Sequence, residues 1–334
     1  MHSPFFSIIL PTYNRARMLR SALKSVLYQT ERDWECLVID DGSTDKTQEV
    51  LARFDWEPRL RVFTSPQNWG MNHSRNLAIN EAQGRYITFL DSDDLWLPAR
   101  LEEFRRRLER GPEASFVFSN AYVWRFERII GTLFDPAREI PEGKVPGHYA
   151  VGDSHLPYVT TNVAIATEAF REHGKFKTEM KTLDTELFAR FLAAGLPVGV
   201  IKTPLSLRRL HGDQLTGDRH RENFRESMLA LEASGASPEV RAKTRRKVAC
   251  EVALYLVKAG QPKEAREFLD EALGAEAPST AAWKLGALPS WLLIGLAAAR
   301  RTFLQAKNLP FLLPEDQKAA LRAVAPLLAE ERLP

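Results

Sequence analysis

A short acidic segment directly after an apolar run is the feature that most constrains this chain. Residues 86–90 are mostly apolar and β-prone, and Asp91-Ser92-Asp93-Asp94 follows them without a break. Pro98 then opens a run of helix-forming residues at 99–108. This order predicts a buried strand, an acidic turn at its C-terminal end, and a helix with proline in its first turn.

The acidic turn itself predicts a site for a divalent cation. Three carboxylates within four positions repel one another, and a cation among them would relieve that repulsion. Such hard oxygen ligands suit Mg²⁺ or Mn²⁺. A solvated acidic turn without a ligand is the alternative interpretation. An EF-hand calcium loop is excluded, because its sixth position requires glycine and is Trp96 here.

Composition narrows the class of protein. A chain of 334 residues that is 44% hydrophobic can form one large domain or two ordinary ones. Its net charge of +3 gives no support for a nucleic-acid partner. Its two cysteines, Cys36 and Cys250, lie far apart in apolar surroundings, which predicts a reducing, cytoplasmic compartment. No signal peptide is expected, and no apolar run reaches the roughly 20 residues of a membrane span.

The first half of the chain alternates between strand-like and helix-like segments. Strands are predicted at residues 6–10, 35–40, 60–64, 86–90 and 114–119. Helices are predicted at 18–28, from the Ser43-Thr44-Asp45 cluster to about residue 54, and at 71–83. This alternation predicts an α/β fold with a mostly parallel sheet, in which ligands bind beyond the carboxyl ends of the strands. The turns at Asp40-Asp41 and at Asp91 to Asp94 would then face the same crevice.

Two common phosphate-binding devices are missing from the sequence. No Gly-x-Gly-x-x-Gly follows the first strand, and no Gly-Lys-Ser/Thr loop occurs anywhere in the chain. A dinucleotide-binding Rossmann domain and a P-loop are therefore both disfavoured. If a nucleotide binds, metal and side chains must hold its phosphates.

Four segments in about the first 110 residues form a recognisable set. They are residues 7–15 (SIILPTYNR), 38–45 (VIDDGSTD), 68–70 with 74–76 (NWG and SRN), and 89–94 (FLDSDD). In order and spacing they resemble the family 2 inverting glycosyltransferases of the GT-A fold. The resemblance implies a Rossmann-like, mostly parallel sheet with flanking helices. It also implies a nucleotide-diphosphate sugar donor, a Mn²⁺ or Mg²⁺ cofactor, and transfer to an acceptor hydroxyl with inversion.

The resemblance also implies a set of residues that bind the nucleotide sugar. These are Pro11, Thr12, Tyr13, Arg15, Asp40, Asp41, Arg75, Asp91 and Ser92. Pro11, Thr12 and either Asp40 or Asp41 would line the base and ribose pocket, where a carboxylate can accept a hydrogen bond from the base or ribose. Arg75 would hold the uracil edge, the diphosphate or an acidic neighbour. Purely structural roles for Asp40 and Arg75 stay open.

The same resemblance implies a different role for each carboxylate of the acidic turn. Asp91 corresponds to the ribose-side or metal-side carboxylate, and Asp93 to the direct metal ligand. Asp94 is either a further contact or the N-cap of the next helix, and the cap is favoured. His211, in residues 205–216, corresponds to a histidine that approaches the metal or diphosphate, and imidazole suits Mn²⁺ better than Mg²⁺. An ordinary surface histidine is the alternative.

The middle of the chain contains the residue expected to act as the base. Residues 129–153 predict a long loop over the site, 158–165 a strand and 167–173 a helix. Residues 181–195 resemble the family's acidic helix start, although Leu183 replaces the usual glutamate. By this resemblance Asp184 is the general base for the acceptor hydroxyl. The alternative is that Asp184 only caps the helix that follows.

From about residue 221 the composition becomes that of a helical region. We therefore predict a catalytic domain at residues 1–220 and a helical region at 221–334. Residues 248–258 and 262–273 predict a helix pair that resembles one tetratricopeptide-like hairpin. Residues 283–303 are strongly apolar, with Trp283 and Trp291, and Arg300 and Arg301 near their end. They either pack on the protein or lie in the interface of an anionic membrane, at its inner face.

These features together predict a glycosyltransferase that makes cell-surface polysaccharide or glycolipid. Its acceptor would be a saccharide or a lipid-linked sugar, and its donor a UDP-sugar. A sugar-nucleotide nucleotidyltransferase is the second hypothesis, but it requires a glycine-rich basic loop where this chain has Thr12-Tyr13-Asn14-Arg15. A non-catalytic helical scaffold with a degenerate transferase domain is the third, and it predicts no metal-dependent nucleotide binding.

Overall fold

A single nine-stranded sheet organises the part of the chain that the structure describes. The computed structural model describes residues 3–110, 114–125, 128–151, 156, 159–180, 184–211, 220–274 and 315–330. Its strands are β1 Phe6–Thr12, β2 Trp34–Asp40, β3 Leu60–Thr64, β4 Tyr86–Phe89, β5 Leu95–Trp96, β6 Phe116–Arg125, β7 Arg128–Thr132, β8 Val163–Ala166 and β9 Val198–Arg209.

Helices flank the sheet and form the C-terminal region. They are α1 Ala16–Leu27, α2 Thr47–Ala52, α3 Met71–Glu81, α4 Arg100–Arg110, α5 Thr167–His173, α6 Thr185–Ala193, α7 His220–Ala233, α8 Pro238–Lys258, α9 Pro262–Leu273 and α10 Glu315–Glu330. Two 3₁₀ turns lie at Gly147–Ala150 and Thr160–Asn162.

The strand order is β3-β2-β1-β4-β8-β6-β9-β5, and β7 pairs with β6. The pairs β1–β2, β2–β3, β1–β4 and β6–β9 are parallel, and the others are antiparallel. Six of these nine described strands therefore run in one direction. This confirms the predicted α/β architecture, with β3 at the predicted residues and β1, β2 and β4 within two residues of them.

Strands β1, β2 and β4 are buried along their whole length because both faces of the sheet are covered there. On β1, Ile8 and Leu10 pack into the core shared with α1, α2 and α4, while Ile9 packs into the core shared with α3, α5, α6 and α7. The side chains of a strand alternate between faces, so a strand buried on both faces must be hydrophobic throughout.

Strand register brings the predicted site segments to one edge of the sheet. β1 lies between β2 and β4, and Thr12 pairs with Asp40 at the ends of their strands. Ile9 pairs with Phe89, and the Leu90 N–H donates to the Ile9 carbonyl oxygen at 3.0 Å. The acidic turn after Leu90 therefore emerges beside the loop that follows Thr12. The two acidic turns therefore lie at the same edge of the sheet, where the sequence predicts a shared crevice.

Three local predictions differ from the structure. Residues 129–132, predicted as part of a loop, instead belong to β7, which pairs with β6 and has Ile129 buried and Ile130 exposed. Leu95 and Trp96 form the short strand β5 against β9, because their backbone finds partners more than 100 positions away. The strand predicted from residue 158 begins at Val163, after a 3₁₀ turn in which the Asn162 side chain accepts from the Val159 N–H at 2.8 Å.

The C-terminal helices divide into two groups. The predicted pair is confirmed as α8 and α9, which share a small apolar core, and α8 begins ten residues earlier than predicted. Helix α10 instead returns to the sheet. Its residues Ala320, Val324 and Leu327 pack against Leu95, Tyr122, Trp124, Ile129 and Leu207. The domain boundary near residue 220 stays a prediction, and the apolar segment 283–303 lies outside the described residues.

Two hydrogen bonds fix α10 in this position. The Ser21 hydroxyl of α1 donates to the Leu327 carbonyl oxygen at 3.0 Å, and the Tyr122 hydroxyl bonds to Asp316 Oδ2 at 2.9 Å. Burial and the nearby Asp316 carboxylate raise the pKa of Tyr122, so its hydroxyl stays protonated and donates. Within the described ranges, none of these helices is long and apolar enough to cross a bilayer.

The packing of α10 predicts that it contributes to the stability of the whole catalytic sheet. Val324 is fully buried in this contact. Val324→Asp should lower the free energy of unfolding by about 3 kcal/mol, because it buries a charge without a partner. Ala323→Asp, on the exposed face of the same turn, should cost about 1 kcal/mol or less. Urea unfolding followed by tryptophan fluorescence measures both, and equal effects would contradict the packing.

Candidate active site

The loops after β1 and β2 are hydrogen-bonded to each other at the edge of the sheet where the acidic turn lies. Asn14 has φ 49, a left-handed conformation, and its Oδ1 accepts from the Thr44 N–H at 2.8 Å. The Asn14 N–H in turn donates to Ser43 Oγ at 2.9 Å. Gly42 has φ 76, and a Cβ there would lie 2.6 Å from the backbone carbon of Gln67. Only glycine fits this turn, which presses against the loop before α3.

The carboxylates of Asp40 and Asp41 are buried and hold turns. Asp40 accepts from the Ser43 N–H at 3.1 Å and from the Gln48 side chain. Asp41 accepts from the N–H groups of Trp69 at 3.0 Å and Gly70 at 2.8 Å, just before α3. A carboxylate has about four acceptor positions, so these contacts leave capacity for a ligand. The geometry therefore shows a structural role for Asp40 and Asp41 in holding these turns. Their contacts with a nucleoside stay a prediction.

The other predicted nucleoside residues lie on β1 and the loop behind it. Pro11 and Thr12 are buried at the end of the strand, and Tyr13 is 41% exposed. The Thr12 hydroxyl is buried and has no hydrogen-bond partner in the described part of the chain. A buried hydroxyl without a partner costs free energy, so a ligand that bonds to it would be favoured.

Arg75 connects α3 to the acidic turn. Its guanidinium is buried, donates to Asp91 Oδ1 at 3.1 Å, and lies 5.2 Å from the centre of the Phe176 ring. Of the partners predicted for Arg75, the structure shows the acidic neighbour. Burial raises the pKa of Asp91; the Arg75 charge opposes this effect, and the charges of Asp93 and Asp184 reinforce it.

Asp93 and His211 are in direct contact although 118 positions separate them. His211 Nε2 lies 2.9 Å from Asp93 Oδ2. Burial alone raises the pKa of Asp93, but the hydrogen bond and charge of His211, with the charge of Arg15, outweigh it and lower that pKa. The structure thus brings together three predicted site residues from the β1 loop, the acidic turn and the end of β9.

Asp94 does not cap a helix, so that prediction is wrong. Helix α4 begins only at Arg100, because β5 intervenes. Asp94 is instead buried and accepts from the Arg209 N–H at 2.9 Å, which ties the acidic turn to β9. Burial and the charges of Asp93 and Asp91 raise its pKa well above the ordinary value. Ser92 is buried within the same turn.

Asp184 stands at the N-cap position of α6 but makes no capping hydrogen bond. Its Oδ2 accepts instead from the hydroxyl of Thr160. Thr160 Oγ1 also accepts from Arg75 Nη2 at 3.2 Å, so Asp184 is connected to Asp91 through two side chains. The alternative that Asp184 only caps its helix therefore does not describe its hydrogen bonding.

The donor set of the crevice suits a divalent cation in chemistry. Asp93 and His211 offer a carboxylate oxygen and an imidazole nitrogen side by side, and Asp91 adds a carboxylate two residues away. Among the described residues, however, no three His, Cys, Asp or Glu side chains stand together in an arrangement that could hold a metal. A cation held by Asp93 and His211 would accept further oxygen ligands, as divalent cations at phosphate sites commonly do.

Two residues of the site region had no sequence signal. Thr160 lies in a Thr-Thr-Asn segment that only tertiary contacts distinguish from an ordinary strand start. Arg100 lies in an amphipathic helix, yet it is fully buried and stacks on Trp96 with its guanidinium carbon 3.9 Å from the ring centre. Its Nη2 donates to the Thr161 carbonyl oxygen at 2.9 Å. Burial lowers its pKa well below the ordinary value.

Comparison with known sequences agrees with the four segments described above. Residues 7–145 match the family model Glycosyl transferase family 2. The UDP-Glc:alpha-D-GlcNAc-diphosphoundecaprenol beta-1,3-glucosyltransferase WfgD of Escherichia coli is 35% identical over 133 residues, which cover 40% of this chain and 51% of WfgD. An uncharacterized glycosyltransferase of Haemophilus influenzae is 42% identical over 104 residues, 31% of this chain and 42% of that protein. The chain thus spans about half the length of these relatives.

Comparison with solved structures extends the similarity of the fold over most of the chain. The crystal structure of Staphylococcus aureus TarS residues 1–349 superposes with a TM-score of 0.56 at 17% identity, covering 90% of this chain and 88% of that one. The mannosyltransferase PcManGT from Pyrobaculum calidifontis, solved with GDP-Man and Mn²⁺, superposes with a TM-score of 0.54 at 20% identity. The superposition covers 100% of this chain and 89% of that one. The order of the four segments, the sheet and the family match together show a glycosyl transferase family 2 domain over residues 7–145.

Proposed function

We propose that the chain transfers a sugar from a nucleotide-diphosphate donor to an acceptor hydroxyl in one step, with inversion at the anomeric carbon. The observation that carries this proposal is the position of Asp184. Its carboxylate is free of a capping role and is connected through Thr160 and Arg75 to Asp91. A base beside a donor-binding carboxylate is the arrangement that a single displacement needs.

In this reaction the acceptor oxygen forms a bond to the anomeric carbon as the bond from that carbon to the diphosphate oxygen breaks. The acceptor proton passes to Asp184, and the nucleoside diphosphate leaves with the electron pair of the broken bond. Attack opposite the leaving group inverts the configuration. Asp184 is partly shielded from solvent, which limits competition from water for its carboxylate.

The nucleoside of the donor would bind where β1 and β2 end. The Thr12 hydroxyl is available there, and the Asp40 and Asp41 carboxylates have acceptor positions left for a base or ribose hydroxyl. Pro11 and Tyr13 would contribute apolar contact, and Ser92 would lie near the ribose. Arg75 would keep Asp91 oriented toward the donor, which its buried position and 3.1 Å ion pair support.

Asp93 and His211 would hold a Mn²⁺ or Mg²⁺ ion with the diphosphate. Divalent cations at phosphate sites are commonly bound by one or two protein groups together with phosphate oxygens and water. Two adjacent protein donors therefore suffice, and Arg15 would add positive charge on the same side. When bound, the ion would neutralise the charge that develops on the leaving diphosphate.

The donor and acceptor classes are proposed from the relatives. WfgD is named for UDP-Glc and a diphosphoundecaprenol-linked sugar, and one TarS structure contains UDP-GlcNAc. We therefore propose a UDP-sugar donor and a saccharide or lipid-linked acceptor, in the synthesis of cell-surface polysaccharide or glycolipid. A lipid-linked acceptor would place the enzyme at the inner face of the membrane.

The metal site predicts metal-dependent donor binding. UDP at a hundred times its dissociation constant should stabilise the native state by about 2.7 kcal/mol with Mn²⁺ present. The stabilisation should be much smaller in EDTA, and Asp93→Asn should abolish the difference. Thermal shift and calorimetry measure both.

The matched control is Asp135→Asn, which removes an exposed carboxylate outside the acidic turn. It should leave the metal effect unchanged. Equal affinity for UDP with and without metal in the wild type would overturn the metal assignment. The same experiment with GDP, dTDP and CDP identifies the base of the donor.

The proposed base predicts a defect in rate without a defect in donor binding. Asp184→Asn keeps the size of the side chain and an acceptor for Thr160, but removes basicity. We expect kcat to fall about 10²–10⁴-fold while UDP affinity and melting temperature stay near wild type. UDP release from UDP-glucose, with water or a GlcNAc-diphospholipid as acceptor, provides the rates.

Glu179→Gln is the control for the base, because it neutralises an exposed carboxylate in a nearby turn and should have no effect. A rate for Asp184→Asn close to that of the wild type would reject Asp184 as the base. A product that retains the configuration of the donor would reject the single displacement.

Membrane contact is predicted from the segment with Trp283 and Arg301, outside the described residues. The full chain should co-sediment with vesicles that contain anionic lipid and not with neutral vesicles, because the basic residues are attracted to negative head groups. A chain with Trp283, Trp291, Arg300 and Arg301 replaced by alanine should lose this binding. Failure of the full chain to sediment would favour packing of the segment on the protein.

A further inference from the structure

Thr160 lies at the centre of a chain of hydrogen bonds that no known role of the site explains. It is the first residue of the 3₁₀ turn Thr160–Asn162 and is 5% exposed. Its Oγ1 accepts from Arg75 Nη2 at 3.2 Å and donates to Asp184 Oδ2. The same Arg75 nitrogen donates to Asp91 Oδ1 at 3.1 Å. One hydroxyl thus connects the donor-side ion pair to the carboxylate proposed as the base.

The direction of these hydrogen bonds is determined by their partners. A guanidinium can only donate, so Thr160 Oγ1 must accept from Arg75. An ionised carboxylate can only accept, so the single hydroxyl proton of Thr160 must point to Asp184. The charge of Arg75 polarises the hydroxyl and strengthens the second bond. Thr160 therefore has one orientation that satisfies both neighbours.

Three hydrogen bonds fix the turn that carries Thr160, two of them to other elements and one within the turn. Arg100 Nη2 donates to the Thr161 carbonyl oxygen at 2.9 Å, and Asn162 Nδ2 donates to the Ser119 carbonyl oxygen at 2.5 Å. The Val159 N–H donates to Asn162 Oδ1 at 2.8 Å. Arg100 and Asn162 are fully buried. The hydroxyl of Thr160 is thus held by the sheet and α4, rather than by a loop that can adjust.

We propose that Thr160 is the positioning residue of the base. It holds Oδ2 of Asp184, so that the second carboxylate oxygen is the one presented to the acceptor hydroxyl. It also couples the orientation of Asp184 to the Arg75–Asp91 pair on the donor side. This inference rests on the proposed function, because it requires Asp184 to act as the base.

Thr160→Val removes the hydroxyl and keeps the shape of the side chain. Loss of a hydrogen bond to a charged group typically changes a rate or equilibrium constant by roughly 10- to 100-fold, so kcat should fall by about that factor. The KM for UDP-glucose should change by less than about threefold, since Arg75 still contacts Asp91. Thr160→Ser, which retains the hydroxyl, should recover most of the wild-type rate.

Thr161→Val is the matched control. Thr161 is the next residue of the same turn and is fully buried, and its hydroxyl has no partner in the described part of the chain. The same isosteric change there should leave kcat within about twofold of wild type. If Thr161→Val were as slow as Thr160→Val, or if Thr160→Ser were not faster than Thr160→Val, the effect would be one of packing and the proposal would fail.

A double-variant cycle separates this inference from the proposed function. In the Asp184→Asn background, Thr160→Val should cause little further loss, because the group that Thr160 positions no longer acts as a base. Equal losses in both backgrounds would overturn the positioning role. A normal rate for Asp184→Asn alone would instead overturn the assignment of the base.

Crystal structures of the wild type and Thr160→Val give a readout that needs no turnover. In the wild type, Asp184 should accept from Thr160. In the variant, the carboxylate should move away from the valine, because an ionised oxygen cannot remain against a methyl group without a donor. Asp184 in the same position in both structures would contradict the proposal.

Discussion

Repulsion among the carboxylates of the acidic turn is the constraint on which the site depends. Each is held by a partner outside the turn, from α3 or from the end of β9. Asp91 is paired with Arg75 of α3, Asp93 with His211 beyond β9, and Asp94 with the backbone N–H of Arg209. The acidic turn can adopt this conformation only when these partners are in place. Charge and hydrogen bonding therefore connect α3 and the end of β9 to the turn. A bound cation would act on charges that the protein has already partly compensated.

The scaffold supports this arrangement through buried polar groups as well as through its apolar cores. Arg100 is enclosed and, among the described residues, forms no hydrogen bond to a carboxylate; it is held by Thr88, by backbone carbonyl oxygens and by the faces of Trp96 and Phe104. An enclosed guanidinium is tolerated only when most of its donors are satisfied. Because Arg100 also bonds to the turn with Thr160, the packing of α4 against the sheet determines where this neighbour of the proposed base lies.

Several residues illustrate how far sequence patterns reach in this protein. The end of β2 at Asp40 and the start of α6 after Asp184 follow from local apolar periodicity, and the structure has them there. The role predicted for Asp94 was wrong because β5 separates it from α4, and a strand of two residues leaves almost no local pattern. Helix α10 covers Leu95 and Tyr122, a contact between segments too distant in the chain for any local pattern to indicate.

The sequence by itself determined the alternation of strands and helices, the strand ends where carboxylates occur, and the family to which the four segments belong. These are local properties, since periodicity and turn residues act within about ten positions of the chain. Only the tertiary structure decided which groups face each carboxylate. His211 reaches Asp93 across 118 positions, Arg209 reaches Asp94 across 115, and Thr160 reaches Asp184 across 24. Such pairs form because the sheet and its helices bury them together, and burial makes each unpaired charge costly.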